Sequence, residues 1–209
     1  MSSSTAHGLR ADARRNRDQI IAAAAQAFAE NGGDVPMEEI ARRAGVGVGT
    51  LYRRFADREA LVLAVVEDSI KGLLAEICRA VEEEPLAWDA LVRALNHSRQ
   101  LKLSLRITTV LAAGRSAIRA DARVQELKRE LITVIDSVIA AAQREGSLRS
   151  DVGTGDVMFL FTLVHRADSA DAEDIAAARA LGVLLDGLRT GPHAALPGSP
   201  LPAPTTPFR

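Results

Sequence analysis

The sequence predicts an all-α protein: an N-terminal three-helix unit with a helix-turn-helix, joined by a long helix to a larger helical body. Three observations predict it. Apolar residues recur at three- and four-residue spacing along most of the chain, and no stretch alternates with period two. Glycine or proline stands where runs of that spacing break off. Between Ile40 and Leu61 the residues read as a helix, a tight turn, a short second helix and the start of a third.

Residues 1–13 are small and polar and predict a disordered arm; Arg10, Arg14, Arg15 and Arg17 make its end basic. Ile20, Ile21, Ala24, Ala27 and Phe28 form the stripe of a first helix. Asn31-Gly32-Gly33 stops it, because glycine readily takes the left-handed conformation that closes a helix. Pro36 suits the first turn of the next helix, where its missing N–H is not needed, and Glu38 and Glu39 favour that positive end. Ile40, Ala41 and Ala44 make its inner face and Gly45 ends it. A third helix runs from about Val48 to Phe55. Asp57 then caps a long helix reaching about Glu83, with an apolar stripe from Leu61 through Val65, Ile70 and Ile77 to Cys78 and Val81. After Pro85, residues 86–113 read as one or two helices bent near Ser104 and closed by Gly114. Asp121–Glu145 is another helix, ended by Gly146; Asp156–His165 is short and very apolar; Ala172–Leu188 is the last. The Pro, Gly, Ala and Ser beyond Gly191 predict disorder. The expected domains are thus an arm (1–13), a helix-turn-helix domain (14–56), a helical body (57–190) and a disordered Pro-rich tail (191–209).

Composition narrows the function. Hydrophobic residues make up 47% of the chain and aromatics 3%, so aliphatic side chains must fill the core. The net charge of -1 means that any attraction to nucleic acid must come from a local cluster of charge. The single cysteine, Cys78, permits no intrachain disulfide and fits a reducing compartment. The Ser-rich start lacks an apolar signal core, and no uninterrupted apolar run is long enough to span a bilayer. The expected location is the cytoplasm, with no membrane partner.

Two closely crossing helices need a small residue at the crossing and a glycine in the turn, and Ala41 and Gly45 supply them. On the following helix, at about 100° per residue, Val48, Leu51 and Phe55 share a face that points to the core. Opposite lie Gly49 and Arg53, flanked by Thr50 and Arg54 on one side and Tyr52 on the other. Gly49 removes a side chain where the helix would come closest to the bases. Arg53 has the reach for a guanine edge or a phosphate, and the Thr50 and Tyr52 hydroxyls suit phosphate oxygens. Arg58, in the next helix's first turn, would present a guanidinium beside free backbone N–H groups. Arg42 on the preceding helix and Arg17 on the first would reach flanking backbone. A lone arginine is ordinarily a solvated charge; this cluster on one short helix with a complementary apolar face predicts contact with the DNA major groove.

From about Arg17 to Leu63 the chain resembles the N-terminal domain of the tetracycline-repressor (TetR) family of transcriptional regulators. The resemblance is carried by Ile20 to Phe28, Met37-Glu38-Glu39-Ile40-Ala41, Ala44-Gly45-Val46, and above all Gly49-Thr50-Leu51-Tyr52-Arg53-Arg54-Phe55 followed by Asp57-Arg58-Glu59-Ala60-Leu61. It implies a recognition helix as the third of three, with Thr50, Tyr52 and Arg53 at positions that contact DNA and Arg58 near phosphate. The chain departs from the family at Pro36, where many members carry a hydroxyl cap. It departs again at Gly47 and Gly49, each costing about 1 kcal/mol inside a helix and so loosening the reader when DNA is absent. The resemblance also implies a body that binds a small molecule and forms a homodimer through its last two long helices. Phe159, Leu160, Leu163, Val164, Leu181, Leu184, Leu185 and Leu188 are the apolar candidates there, burial within one subunit being the competing role.

The pocket is less legible. Trp88, His97, Arg106, Thr108, Thr109, Met158, Phe159 and His165 are the polar or bulky residues on otherwise aliphatic helices, and each has an ordinary structural role as its alternative. So few aromatics suit a modest aliphatic ligand, or none. Cys78 lies on an apolar stripe, where a cysteine is usually an inert small hydrophobe rather than a sensor. The histidines and Cys78 show no metal-ligand spacing, so neither a metal nor a cofactor is expected. No phosphate loop, dinucleotide glycine motif, nucleophile elbow or paired histidines point to an enzyme. A helical protein-interaction scaffold explains the body but leaves Thr50, Tyr52, Arg53 and Arg54 without a purpose. The reading is therefore a DNA-binding regulator, and the family resemblance implies a repressor rather than an activator. Its partners are a palindromic duplex operator, a second copy of the chain and a small-molecule effector that the sequence does not identify.

Overall fold

A computed structural model describes residues 3–31, 34–97, 115–166 and 171–204; for some of these, including 3–13, His97, Val164 and His165, it describes the backbone alone. Nine α-helices account for most of the described residues. They are α1 (Ser3–Asn31), α2 (Met37–Arg43), α3 (Val48–Arg54), α4 (Arg58–Glu83), α5 (Ala87–His97), α6 (Arg115–Ala120), α7 (Ala122–Arg144), α8 (Thr154–Arg166) and α9 (Asp171–Leu188). No described helix is long and apolar enough to cross a membrane.

Helix ends fall where local chemistry dictates. Gly45 has φ 67°, and the N–H groups of Gly45 and Val46 donate to the carbonyls of Arg42 and Ala41, the paired bonds that close a helix through a left-handed residue. Gly146, at φ 75°, closes α7 in the same way through Gln143 and Ala142. Asp57 caps α4 by accepting from Ala60 N at 2.8 Å, and Asp121 caps α7 by accepting from Val124 N at 2.8 Å. Pro36 is not inside α2 as its sequence position suggested. It is the N-cap, with φ -59° and ψ 145°, and its side chain caps nothing.

The described residues of Met1–Ser69 and Arg106–Val124 form one compact unit, and those of Ile70–Leu105 and Gln125–Arg209 form the other. The division falls inside α4 rather than ahead of it at residue 57. The physical reason is that Leu61, Val62, Val65 and Val66 are buried, and they complete the core begun by Ile20, Ala24, Phe28, Ile40, Ala41 and Leu51.

Both ends of the chain depart from expectation. α1 begins at Ser3, so the segment read as an arm is helical. Its alanines, arginines and Leu9 are strong helix formers with no proline among them, and extending an existing helix is far cheaper than nucleating one. At the other end, residues 189–204 follow an irregular but pinned path. An antiparallel bridge joins Leu148 to Arg189, and Thr190 N donates to Ser147 O at 3.1 Å. Gly155 N donates to Leu201 O at 3.0 Å, while Leu201 N donates to Asp156 Oδ2 at 2.9 Å. Composition misleads here because proline-rich chain has little freedom left to lose. Gly153 and Gly155 also let backbone lie on backbone: a Cβ on Gly155 would sit 2.8 Å from Leu201 Cβ.

Candidate nucleic-acid interface

α3 is short, and one residue fixes its orientation. Leu51 is fully buried, and Phe55, the extended residue that ends the helix, is 4% exposed. Val48 was expected on that inner face but is exposed, because it stands in the first turn, ahead of the point where α3 meets the core. With Leu51 inward, Gly49, Tyr52, Arg53 and Arg54 are exposed and Thr50 is half-exposed. Arg53 Nη2 donates to Thr50 Oγ1 at 3.1 Å, so the guanidinium and the hydroxyl stand side by side on the outer face. Gly47 is the N-cap rather than a helical residue, so only Gly49 weakens the helix interior. A Cβ on Gly49 would meet nothing within 4 Å. The protein's own packing therefore gives no reason for glycine at this position.

The flanking arginines divide into two kinds. Arg17 is exposed and its guanidinium lies 5.8 Å from the centre of the Phe55 ring, beside the end of α3. Arg42 forms a two-pronged pair with Glu39 at 2.7 and 2.8 Å, and Arg43 bonds both Glu39 and Glu30. These bonds, Arg42's first, hold the Glu39 carboxyl down at about 2, well below the usual carboxylate range. Both arginines are correspondingly raised, chiefly by their hydrogen bonds to Glu39. The carboxylates answering these arginines on α1 and α2 were not anticipated from sequence, although the spacing of Glu39 from Arg42 and Arg43 was legible as helix pairing.

Arg58 is turned the other way. It is half-buried; Nη1 donates to Val35 O at 2.7 Å and the guanidinium stacks 5.5 Å from the Phe28 ring centre. Its Nη2 is buried with no hydrogen-bond partner among the described residues. The expectation that it faces phosphate is therefore corrected. Its long side chain reaches back over α1 and ties the segment before α2 to the start of α4.

In the second unit, α4, α5, α7 and α8 enclose a cavity of about 50 Å³. The lining is Leu73, Ile77, Leu91, Leu131, Phe161 and similar apolar side chains, with Thr162 as its polar member. Trp88 and Phe159, both expected in a pocket, do not line it. Trp88 is buried and stacks under Arg189 at 5.0 Å, whereas Phe159 is 63% exposed. Arg106 and Thr109, with Thr108, lie outside the described residues, as do the side chains of His97 and His165. Met158, also anticipated, is in the lining.

Of the residues read as dimer contacts, Leu181 and Leu188 are buried within the protomer, Leu160, Leu184 and Leu185 are half-buried, and the Val164 side chain lies outside the described residues. Among the described residues, the exposed large apolar side chains of α8 and α9 are Phe159 and Leu163, both among those candidates, with Ile175 and Val183. Ile175 and Val183 escaped sequence reading because leucine spacing alone does not say which side of an apolar helix faces inward. Cys78 is likewise exposed, not buried on the stripe.

Comparison with known proteins agrees with this architecture. Residues 20–65 match the model for bacterial regulatory proteins of the tetR family, and residues 88–190 match an SbtR-like transcriptional-regulator C-terminal domain. A TetR transcriptional regulator from Streptomyces coelicolor shares 30% identity over 83% of this chain and 98% of its own, with a TM-score of 0.68. A TetR regulatory protein from Mycobacterium vanbaalenii shares 32% identity over 87% of this chain and 99% of its own, with a TM-score of 0.67. A helix-turn-helix transcriptional regulator of Staphylococcus aureus is 26% identical over 78% of this chain and 91% of its own. A protein built on this plan, matched over more than four fifths of its length by TetR regulators at 30% and 32% identity, belongs to the TetR family of DNA-binding, helix-turn-helix transcriptional regulators.

Proposed function

We propose that the protein is a homodimeric repressor that binds a palindromic operator and is released by a small-molecule effector. The observation that carries the DNA reading is the outer face of α3, where Thr50 and Arg53 stand together, Tyr52 and Arg54 flank them, and Gly49 leaves clearance that the protein itself does not use. A helical glycine costs about 1 kcal/mol, and close approach of a base edge gives that cost a purpose. Arg17 serves the flanking phosphates. Arg42 serves them only in competition with Glu39, and Arg58 holds the reading unit together instead of touching DNA.

One recognition helix reads few bases, whereas two related by a two-fold axis read a palindrome at fixed spacing. The exposed Phe159 and Leu163, one turn apart on α8, and Ile175 and Val183, about two turns apart on α9, support dimerisation through these helices, since a helix face that leaves large apolar side chains in water suits a contact. The first unit is thus the reader, the second the dimerisation and effector-binding body, and α4 the element common to both. The protein works in the cytoplasm as a binding protein rather than a catalyst. Selection of bound duplexes from a random pool tests this reading. Enrichment of a two-fold-symmetric sequence is the expected result; no enrichment, or a single asymmetric site, contradicts it.

A further inference from the structure

The cavity between α4, α5, α7 and α8 has a chemistry that restricts what enters it. Among the described residues its lining is aliphatic apart from Phe161, the Met158 thioether and the Thr162 hydroxyl, and none of these side chains is charged. A carboxylate, phosphate or ammonium buried there would lose its water and gain no counter-charge, a large cost. The one hydroxyl is already committed as a donor: Thr162 Oγ1 donates to Met158 O, one turn back on α8, at 2.8 Å. A hydroxyl that donates once keeps lone pairs able to accept. The described lining therefore offers an acceptor and no free donor. At about 50 Å³, it has room for roughly three or four water-sized groups.

We propose that the effector site takes an uncharged aliphatic alcohol, whose hydrocarbon part fills the apolar lining and whose hydroxyl donates to Thr162 Oγ1. This rests on the reading of the second unit as the effector-binding body. A ketone or aldehyde of the same length brings only an acceptor, and it must either break the Thr162–Met158 bond or go unpaired. A carboxylate brings a charge that no described lining residue answers. The site thus selects alcohol over carbonyl compound over carboxylate at equal chain length.

Calorimetric titration of the full-length protein with methanol through 1-pentanol, acetone and propanoate at pH 8 tests this. Affinity should rise about fourfold per methylene until the cavity is full, at about four heavy atoms. 1-Propanol should bind at least about fivefold more tightly than acetone, and propanoate should not compete with it. Thr162→Val keeps the volume and removes the acceptor, so it should erase the alcohol-over-ketone preference while retaining the rise with chain length. Equal binding of ketone and alcohol by the unsubstituted protein, or tighter binding of propanoate, would overturn the proposal. So would a preference that survives in Thr162→Val with its melting temperature unchanged, and so would no binding of any alcohol. Duplex binding is measured in parallel without alcohol. If duplex is bound and no alcohol is, the ligand inference alone fails. If alcohols bind with the stated order but leave duplex affinity unchanged, the ligand chemistry stands and the effector role fails.

Discussion

The arginines around α3 show how similar side chains acquire different work from their neighbours. Arg53 is held by Thr50, Arg42 and Arg43 by Glu39 and Glu30, and Arg58 by a carbonyl and a ring. Glu39→Gln should free the Arg42 guanidinium near the reader and leave Arg43 held by Glu30 alone. Duplexes of unrelated sequence should then bind more tightly, with a steeper loss on adding salt, since each new phosphate contact adds about 0.9 to the slope. Unaltered non-specific binding would show that these arginines lie beyond reach of the backbone. Acid titration gives a second check. Glu39 and Asp151 are each held at about 2, the latter chiefly by its hydrogen bonds to Arg149, against ordinary values of 4.5 and 3.8. Such depressed carboxyls stabilise the fold fully above their unfolded values, and that contribution disappears as pH falls from about 4.5 through 2. Melting temperatures of Glu39→Gln and of the unsubstituted protein should therefore converge over that window; a gap constant from pH 6 to pH 2 would contradict the pairing. Arg58→Ala should cost about 1–2 kcal/mol in denaturant unfolding, from the lost bond to Val35 O and the lost stacking on Phe28.

Among the elements, the helix-turn-helix was legible almost residue by residue, because its signals are local. Gly45 announces a left-handed turn, Asp57 a cap, and Leu51 with Phe55 an inward face. What depends on distant partners was not legible. Glu145 caps the start of α5 from across the second unit, both carboxylate oxygens accepting from Ala87 N at 3.0 Å, and nothing in the sequence near Ala87 records it. The tail is the clearest instance. Its composition says disorder, yet Gly153, Gly155 and Asp156 receive it on the first turn of α8. Gly155→Ala should cost about 1–3 kcal/mol in denaturant unfolding, because the new methyl meets the chain at Leu201 and Pro202. Truncating the chain after Thr190 in that variant should remove most of the penalty, and persistence of the full cost would place the strain elsewhere. On α8 and α9, the leucines read as interface proved partly internal, since an all-apolar helix does not declare which side is covered. If α8 and α9 form the proposed dimer contact, Val183→Asp should yield monomer in sedimentation where the unsubstituted protein sediments as a dimer, with helix content unchanged.

For the whole molecule, the sequence carried the class of function but not its regulation. A net charge of -1 leaves the reader's local arginines as the source of attraction, so duplex binding should weaken steeply with salt even though the protein is not basic. The cavity was obscure in sequence because its walls come from four helices, and what distinguishes its described lining is that no side chain there is charged. Only the assembled lining reveals that. The account as a whole depends on α3 turning Arg53 outward to a base edge or phosphate. The most direct test is the affinity of Arg53→Ala for the selected duplex at fixed salt, with helix content and melting temperature monitored. The account predicts binding at least about tenfold weaker with the fold intact; an intact fold binding that duplex as tightly as before would contradict it.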